Sequence, residues 1–251
     1  MGDGRRKKNS KEIDTEMKDI LGNALLDFQN GNYTEDIRTE TNISEEDILP
    51  LPYLFRGFSE MPQLEQKALE LSKGKVLDVG CGAGSHSLYL QKKGLNVTAI
   101  DTSEGAIEVC KLRGIDDARC IDILQLKNEK FDTILLLMNG TGIFQKLEFT
   151  DQYLQHLKTL LNPNGQLLID SSDLKYMYNK GEDEGSIMVP SDRYYGELEF
   201  IMHYKNWTSE SFDWLYLDPS IFKDVCLKNG FSFSIMFEGE NFEYLARLIV
   251  I

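Results

Sequence analysis

The chain has 251 residues, 41% of them hydrophobic and 27% charged, with a formal net charge of -14 at pH 7. That length accommodates one domain with an insertion and a sizeable core. Such acidity argues against a broad grip on nucleic-acid phosphates, so the expected partner is a small molecule. Four cysteines, at 81, 110, 120 and 226, show neither C-x-x-C spacing nor a metal-ligand pattern. No metal is expected, and a reducing cytoplasm suits this usage. The polar start, with Arg5-Arg6-Lys7-Lys8, lacks an apolar export core, and no stretch is long enough to span a bilayer.

From Lys11 to Phe28 the apolar residues Ile13, Met17, Ile20, Leu21, Ala24, Leu25 and Phe28 recur at helical spacing, and Gly31 is a plausible stop. After a polar connector, Ser44-Glu45-Glu46-Asp47 predicts a helix start, which Pro50 to Arg56 interrupts. A helical pattern resumes from Gln63 to Leu71. Residues 1–72 therefore read as a helical cap with a flexible tail, able to fold over one end of whatever sheet follows.

Lys75 to Val79 is a short apolar run of the kind buried on both faces of a parallel sheet. Gly80, Gly82 and Gly84 follow it, and a helix is expected from about Ser85. Glycines so spaced let the backbone approach a flat ligand, which points to a nucleotide-like cofactor. Tight packing alone is the competing explanation. Asp78 is placed to hold the turn or to receive an ammonium group through water. A second apolar run, Leu95 to Ile100, ends in Asp101, about twenty residues after Gly80, where a βαβ unit carries a carboxylate suited to a vicinal diol. Thr102 and Ser103 open the next helix, and Asp101 as its cap is the alternative.

Further strands are expected at Phe131 to Met138 and around Gln166 to Ile169, with helices at Ser85 to Lys93, Ser103 to Arg113 and Leu147 to Leu160. This alternation predicts a doubly wound, mostly parallel α/β sheet. Phe231 to Phe237 and Tyr244 to Ile251 flank Glu238-Gly239-Glu240-Asn241 and predict a terminal antiparallel hairpin. Between the fifth strand and the last helix, residues 171–217 read as a β-rich insertion on the substrate side, its aromatics either lining an apolar pocket or simply packing. Its acidic turn at 181–185 precedes two strands, Tyr194 to Tyr204 and Phe212 to Leu217, that predict an antiparallel flap.

Asp78-Val79-Gly80-Cys81-Gly82-Ala83-Gly84, Asp101, Cys120-Ile121-Asp122-Ile123, Phe131 to Met138 and Leu160 to Ile169 together resemble the class I, Rossmann-like S-adenosylmethionine-dependent methyltransferases over roughly residues 60 to 251. The resemblance implies a seven-stranded fold, S-adenosyl-L-methionine as cofactor and methyl transfer to a small molecule by in-line displacement. It implies that the turn meets the methionine part, Asp101 the ribose, Asp122 the adenine amino group, and Ile123 the ring. The expected cofactor set is Asp78, Gly80, Cys81, Gly82, Gly84, His86, Asp101, Thr102, Asp122, Ile123, Met138 and Asn139. Cys81 is read as a space-filler in the turn. Arg56 joins the set by pairing its planar fork with the methionyl carboxylate, a surface ion pair being the alternative. A nicotinamide-dependent dehydrogenase fits less well. Ser85 occupies the place of its third glycine, and the terminal hairpin is foreign to it. Met138-Asn139-Gly140-Thr141-Gly142 also lacks the N-P-P-Y pattern associated with base methylation. If a general base is needed, Asp173 and His203 are the candidates. A non-catalytic sensor or scaffold that binds the same ligand is the alternative function.

Overall fold

The computed structural model describes residues 19–178, 190 and 193–251. The basic tail, the helical positions before Asp19 and the acidic turn at 181–185 lie outside the described residues. Helix α1 spans Ile20–Gln29, capped by Asp19, whose side chain accepts from Gly22 N at 2.9 Å. Gly31, at φ +75°, then turns the chain away.

The polar connector and the expected helix start both depart from the prediction. Strands β1 (Ile37–Thr41) and β2 (Asp47–Leu49) form here instead, paired antiparallel with Ile37 opposite Leu49. Ile37-Arg38-Thr39-Glu40-Thr41 alternates with period two and is rich in β-branched residues. Ser44 is not a helix cap: its N–H donates to Thr41 Oγ1 at 3.0 Å inside the connecting turn. Short α2 (Leu51–Leu54) and then α3 (Gln63–Leu71) follow, the latter at its expected position.

The core alternates as expected. Strand β3 (Lys75–Val79) leads through the glycine turn to α4 (Ser85–Lys92), β4 (Asn96–Asp101), α5 (Glu104–Leu112) and β5 (Ala118–Cys120). Then come β6 (Phe131–Leu136), α6 (Thr150–Thr159) and β7 (Leu161–Ser172). In the insertion lie β8 (Glu197–Tyr204), β9 (Trp207–Thr208) and β10 (Phe212–Leu215). Helix α7 (Pro219–Lys228) and the hairpin β11 (Phe231–Glu238) and β12 (Glu243–Val250) close the chain.

Seven strands form one sheet in the order β11-β12-β7-β6-β3-β4-β5. Neighbours from β7 to β5 are parallel, and β12 is antiparallel to both β7 and β11. Alternate strand residues serve opposite layers. Leu77, Ile134, Leu167 and Ala246 pack with Leu154 and Leu157 of α6 and Phe222 of α7, whereas Val76, Leu135, Leu168 and Leu245 pack with Leu64 and Ala68 of α3 and Leu90 of α4. The strand order reverses between β3 and β6, so a crevice opens where their carboxyl ends diverge.

The predicted flap is the centre of a second, antiparallel sheet ordered β10-β8-β1-β2, with β9 paired to β8. The front section thus contributes strands to the insertion as well as helices. It is also clamped to the core. The second carboxylate oxygen of Asp19 accepts from Ser103 Oγ at 3.0 Å and Gly105 N at 2.9 Å. At this crossing a Cβ on Gly105 would come within 2.6 Å of the Gly22 backbone, so the close approach of α1 to α5 requires glycine.

Candidate active site

At the crevice lies a cavity of about 720 Å³, walled by the glycine turn, the ends of β4 and β6, the front section and β10. Gly80, Cys81, Gly82, His86, Asp101, Thr102, Asp122, Ile123, Met138, Asn139 and Arg56 all line it. Gly80 and Gly82 have φ of +71° and +51°. A Cβ added to Gly82 would meet nothing within 4 Å, so it would occupy space that the bare backbone keeps open. This is a cradle for a ligand that touches the chain closely, and it fits the nucleoside cofactor implied by the sequence.

Asp101 holds the turn from below. Its Oδ2 accepts from Gly82 N and its Oδ1 from Ser103 N, each at 2.9 Å. Burial pushes its carboxyl above the usual range, against the pull of those backbone donors. A carboxylate offers about four lone-pair sites, so two remain for a diol. Helix α5 is capped separately by Ser103, whose Oγ accepts from Ala106 N at 2.9 Å. Asp122 Oδ1 accepts from Leu124 N at 2.7 Å, which fixes the turn that presents Ile123.

Asp78 and Gly84 do not line the cavity. Asp78 is buried and accepts from Ser87 Oγ at 2.6 Å, tying β3 to α4, so it holds the turn. Gly84 answers to packing: a Cβ there would lie 2.2 Å from Ile115 Cδ1. Cys81 Sγ sits 3.7 Å from Cys110 Sγ, and that contact together with burial pushes its thiol well up, which makes it an inert filler.

Both general-base candidates are displaced from the cavity. Asp173 accepts from Lys175 N at 3.0 Å and Tyr195 Oη at 2.8 Å, so it caps a turn and anchors the insertion. His203 follows Met202, which faces the cavity; the two-residue period of β8 turns the imidazole away, towards Glu40 at 3.2 Å and Thr208.

The loop after β6 is under strain. Met138 and Asn139 have φ of +65° and +61° without being glycine. Asp170, at the end of β7, accepts from Asn139 N at 2.9 Å and Gly140 N at 2.8 Å. Burial pushes the Asp170 carboxyl up to about 6 despite these donors. The Asn139 amide itself is spent on bracing: Nδ2 donates to Leu215 O at 3.2 Å and Oδ1 accepts from Ser171 Oγ at 3.3 Å. One carboxylate thus holds the bend that brings Met138 into the cavity wall.

Arg56 is neither free nor at the surface. It is 6% exposed, pairs with the Glu65 carboxylate, and stacks its guanidinium 3.8 Å above the Tyr53 ring. Glu65 Oε2 also lies 2.7 Å from His86 Nε2. Sequence reasoning missed Glu65, which reads as one more polar residue on α3. The insertion was expected on the substrate side without individual residues; those that line the cavity are Met202, Phe212, Asp213 and Trp214. The glycine-rich stretch 140–142 was the available signal for the last of these, since a Cβ on Gly142 would fall 1.9 Å from the Trp214 indole.

Residues 77–169 match the methyltransferase domain family. A solved S-adenosylmethionine-dependent methyltransferase from Bacteroides fragilis, in complex with S-adenosyl-L-homocysteine, is 42% identical, with a TM-score of 0.86 over 93% of this chain and 95% of that one. Ubiquinone biosynthesis O-methyltransferases from Rickettsia conorii and Histophilus somni are 30% and 31% identical over 43% and 45% of this chain. The chain spans 38% and 51% of those two relatives' lengths. The chain belongs to the class I S-adenosylmethionine-dependent methyltransferases, and its cofactor is S-adenosylmethionine. No group of three or more His, Cys, Asp or Glu side chains among the described residues is placed to hold a metal ion, and no helix among them is long and apolar enough to cross a membrane.

Proposed function

We propose that the protein transfers the methyl group of S-adenosylmethionine to a small-molecule acceptor by in-line displacement. One observation carries this reading: a single cavity joins the glycine turn, Asp101 and Asp122 to an aromatic wall of Phe212 and Trp214 from the second sheet. Its volume, about 720 Å³, is within the range of small-molecule sites. The cofactor supplies a methyl carbon already activated by a positively charged sulfur, which leaves the chain to align the partners and exclude water. Gly80, Gly82 and Asp101 would hold the nucleoside part, Asp122 and Ile123 the adenine, and Arg56 the carboxylate end. Met202, Phe212 and Trp214, with Leu21, Leu49 and Leu54 of the front section, would enclose the acceptor in apolar surface. With Asp173 and His203 committed elsewhere, alignment is the chief contribution of the side chains. Relatives named for ubiquinone biosynthesis support a small-molecule acceptor. Four free cysteines suit a cytoplasmic setting.

Incubation of the protein with methyl-labelled S-adenosylmethionine and pools of phenolic, amine and carboxylate metabolites tests the reading. Label transfer to at least one pool is expected. Cofactor binding with no transfer to any pool would overturn it in favour of a sensor.

A further inference from the structure

Glu65 stands outside the cavity yet touches both of the basic side chains that line its inner end. Arg56 comes from the segment after α2, His86 from the first turn of α4, and Glu65 from α3, so three separate elements meet in one cluster. All three residues are buried, at 6%, 8% and 4% exposure. Burial pushes the Glu65 carboxyl up, but the His86 hydrogen bond and the Arg56 charge outweigh it and hold the group below its usual range. Such a carboxylate only accepts hydrogen bonds, so Nε2 of His86 carries the proton between them. Arg56 is held from three sides, by Glu65, by Tyr53 O at 2.5 Å from Nη1, and by the Tyr53 ring. Its buried Nε has no hydrogen-bond partner among the described residues, which leaves donor capacity for an anion. Asp170 is the other charged group facing this cluster.

We infer that Glu65 is a positioning residue, which orients Arg56 and His86 together to receive the carboxylate of an amino-acid-bearing ligand. The inference rests on the cofactor reading above, since S-adenosylmethionine and its product carry such a carboxylate. It explains why a buried acid sits on the front section, where it contacts nothing in the cavity directly. Ligand affinity for the amino-acid part then depends on the docking of the front section against the core.

Calorimetric titration of the full chain separates this role from a general structural one. The ligands are S-adenosylhomocysteine and 5′-methylthioadenosine, which lacks the amino-acid moiety. Glu65→Gln keeps the shape but removes the negative charge that Arg56 and His86 share. Its affinity for S-adenosylhomocysteine should fall about tenfold or more, as for loss of a charge-assisted hydrogen bond. Affinity for 5′-methylthioadenosine should stay the same. Glu65→Asp keeps the buried charge with a shorter reach, and should show the same selective loss at smaller size if Glu65→Gln folds poorly. Unchanged binding of S-adenosylhomocysteine, or equal weakening of both ligands, would overturn the inference. Failure of the wild type to bind either ligand would overturn the cofactor reading on which it stands.

Discussion

Asp101 and Asp170 show how two buried carboxylates near one cavity are set apart by their partners. Asp101 accepts from the glycine turn and the helix start and lines the cavity, whereas Asp170 accepts from the strained Met138–Asn139 bend and stands behind the cavity wall. Burial pushes the Asp170 carboxyl up to about 6 in the folded protein, against 3.8 as its ordinary value. Between those values the folded state holds the extra proton. Its stabilising contribution is therefore full below pH 3.8 and is lost as pH rises through about 6. In denaturant titrations the stability of wild type relative to Asp170→Asn should fall by about 2 kcal/mol from pH 4 to pH 7. Parallel stability curves would contradict that assignment. The sequence announced Asp101 by its distance from the glycines. Asp170 was hidden, because an acid at the end of a predicted strand has no spacing signature until the loop it braces is seen.

At the scale of elements, the parallel core was legible because its strands are apolar runs closed by glycine or acid and its helices have local caps. The second sheet was only half legible. Its β8 and β10 were visible from alternation, but β1 and β2 are short and polar, and the pairing that places them, of β1 with β8 some 160 positions away, leaves no local trace. Glu65 escaped notice because it reads as one more polar residue on α3, and the role of Trp214 because its partner Gly142 lies 72 positions away. Trp214 lies against Gly142, where any side chain would collide. Gly142→Ala should push the indole out of place, lower stability by about 1–3 kcal/mol and shift tryptophan emission to longer wavelength. Unaltered emission together with an unaltered melting temperature would show that the β6–β7 loop does not seat β10. Gly105→Ala should likewise lower the melting temperature by forcing α1 off α5. Limited proteolysis would then cut the front section first, and a wild-type cleavage pattern would count against the clamp.

At the scale of the whole molecule, two sheets share one cavity. The seven-stranded sheet presents the cofactor surface at its switch point. The antiparallel sheet, built from the front section and the insertion, walls the opposite side of the cavity. Asp101 is the most direct test of the surface on which everything else depends. Calorimetric titration of S-adenosylhomocysteine into wild type and Asp101→Ala, with both shown to be folded by thermal melting, measures it. Binding to wild type is expected, with binding to the variant about tenfold weaker or more, as for the loss of hydrogen bonds to a charged group. Equal affinities, or stronger protection of the wild type by a nicotinamide dinucleotide than by S-adenosylhomocysteine, would contradict it.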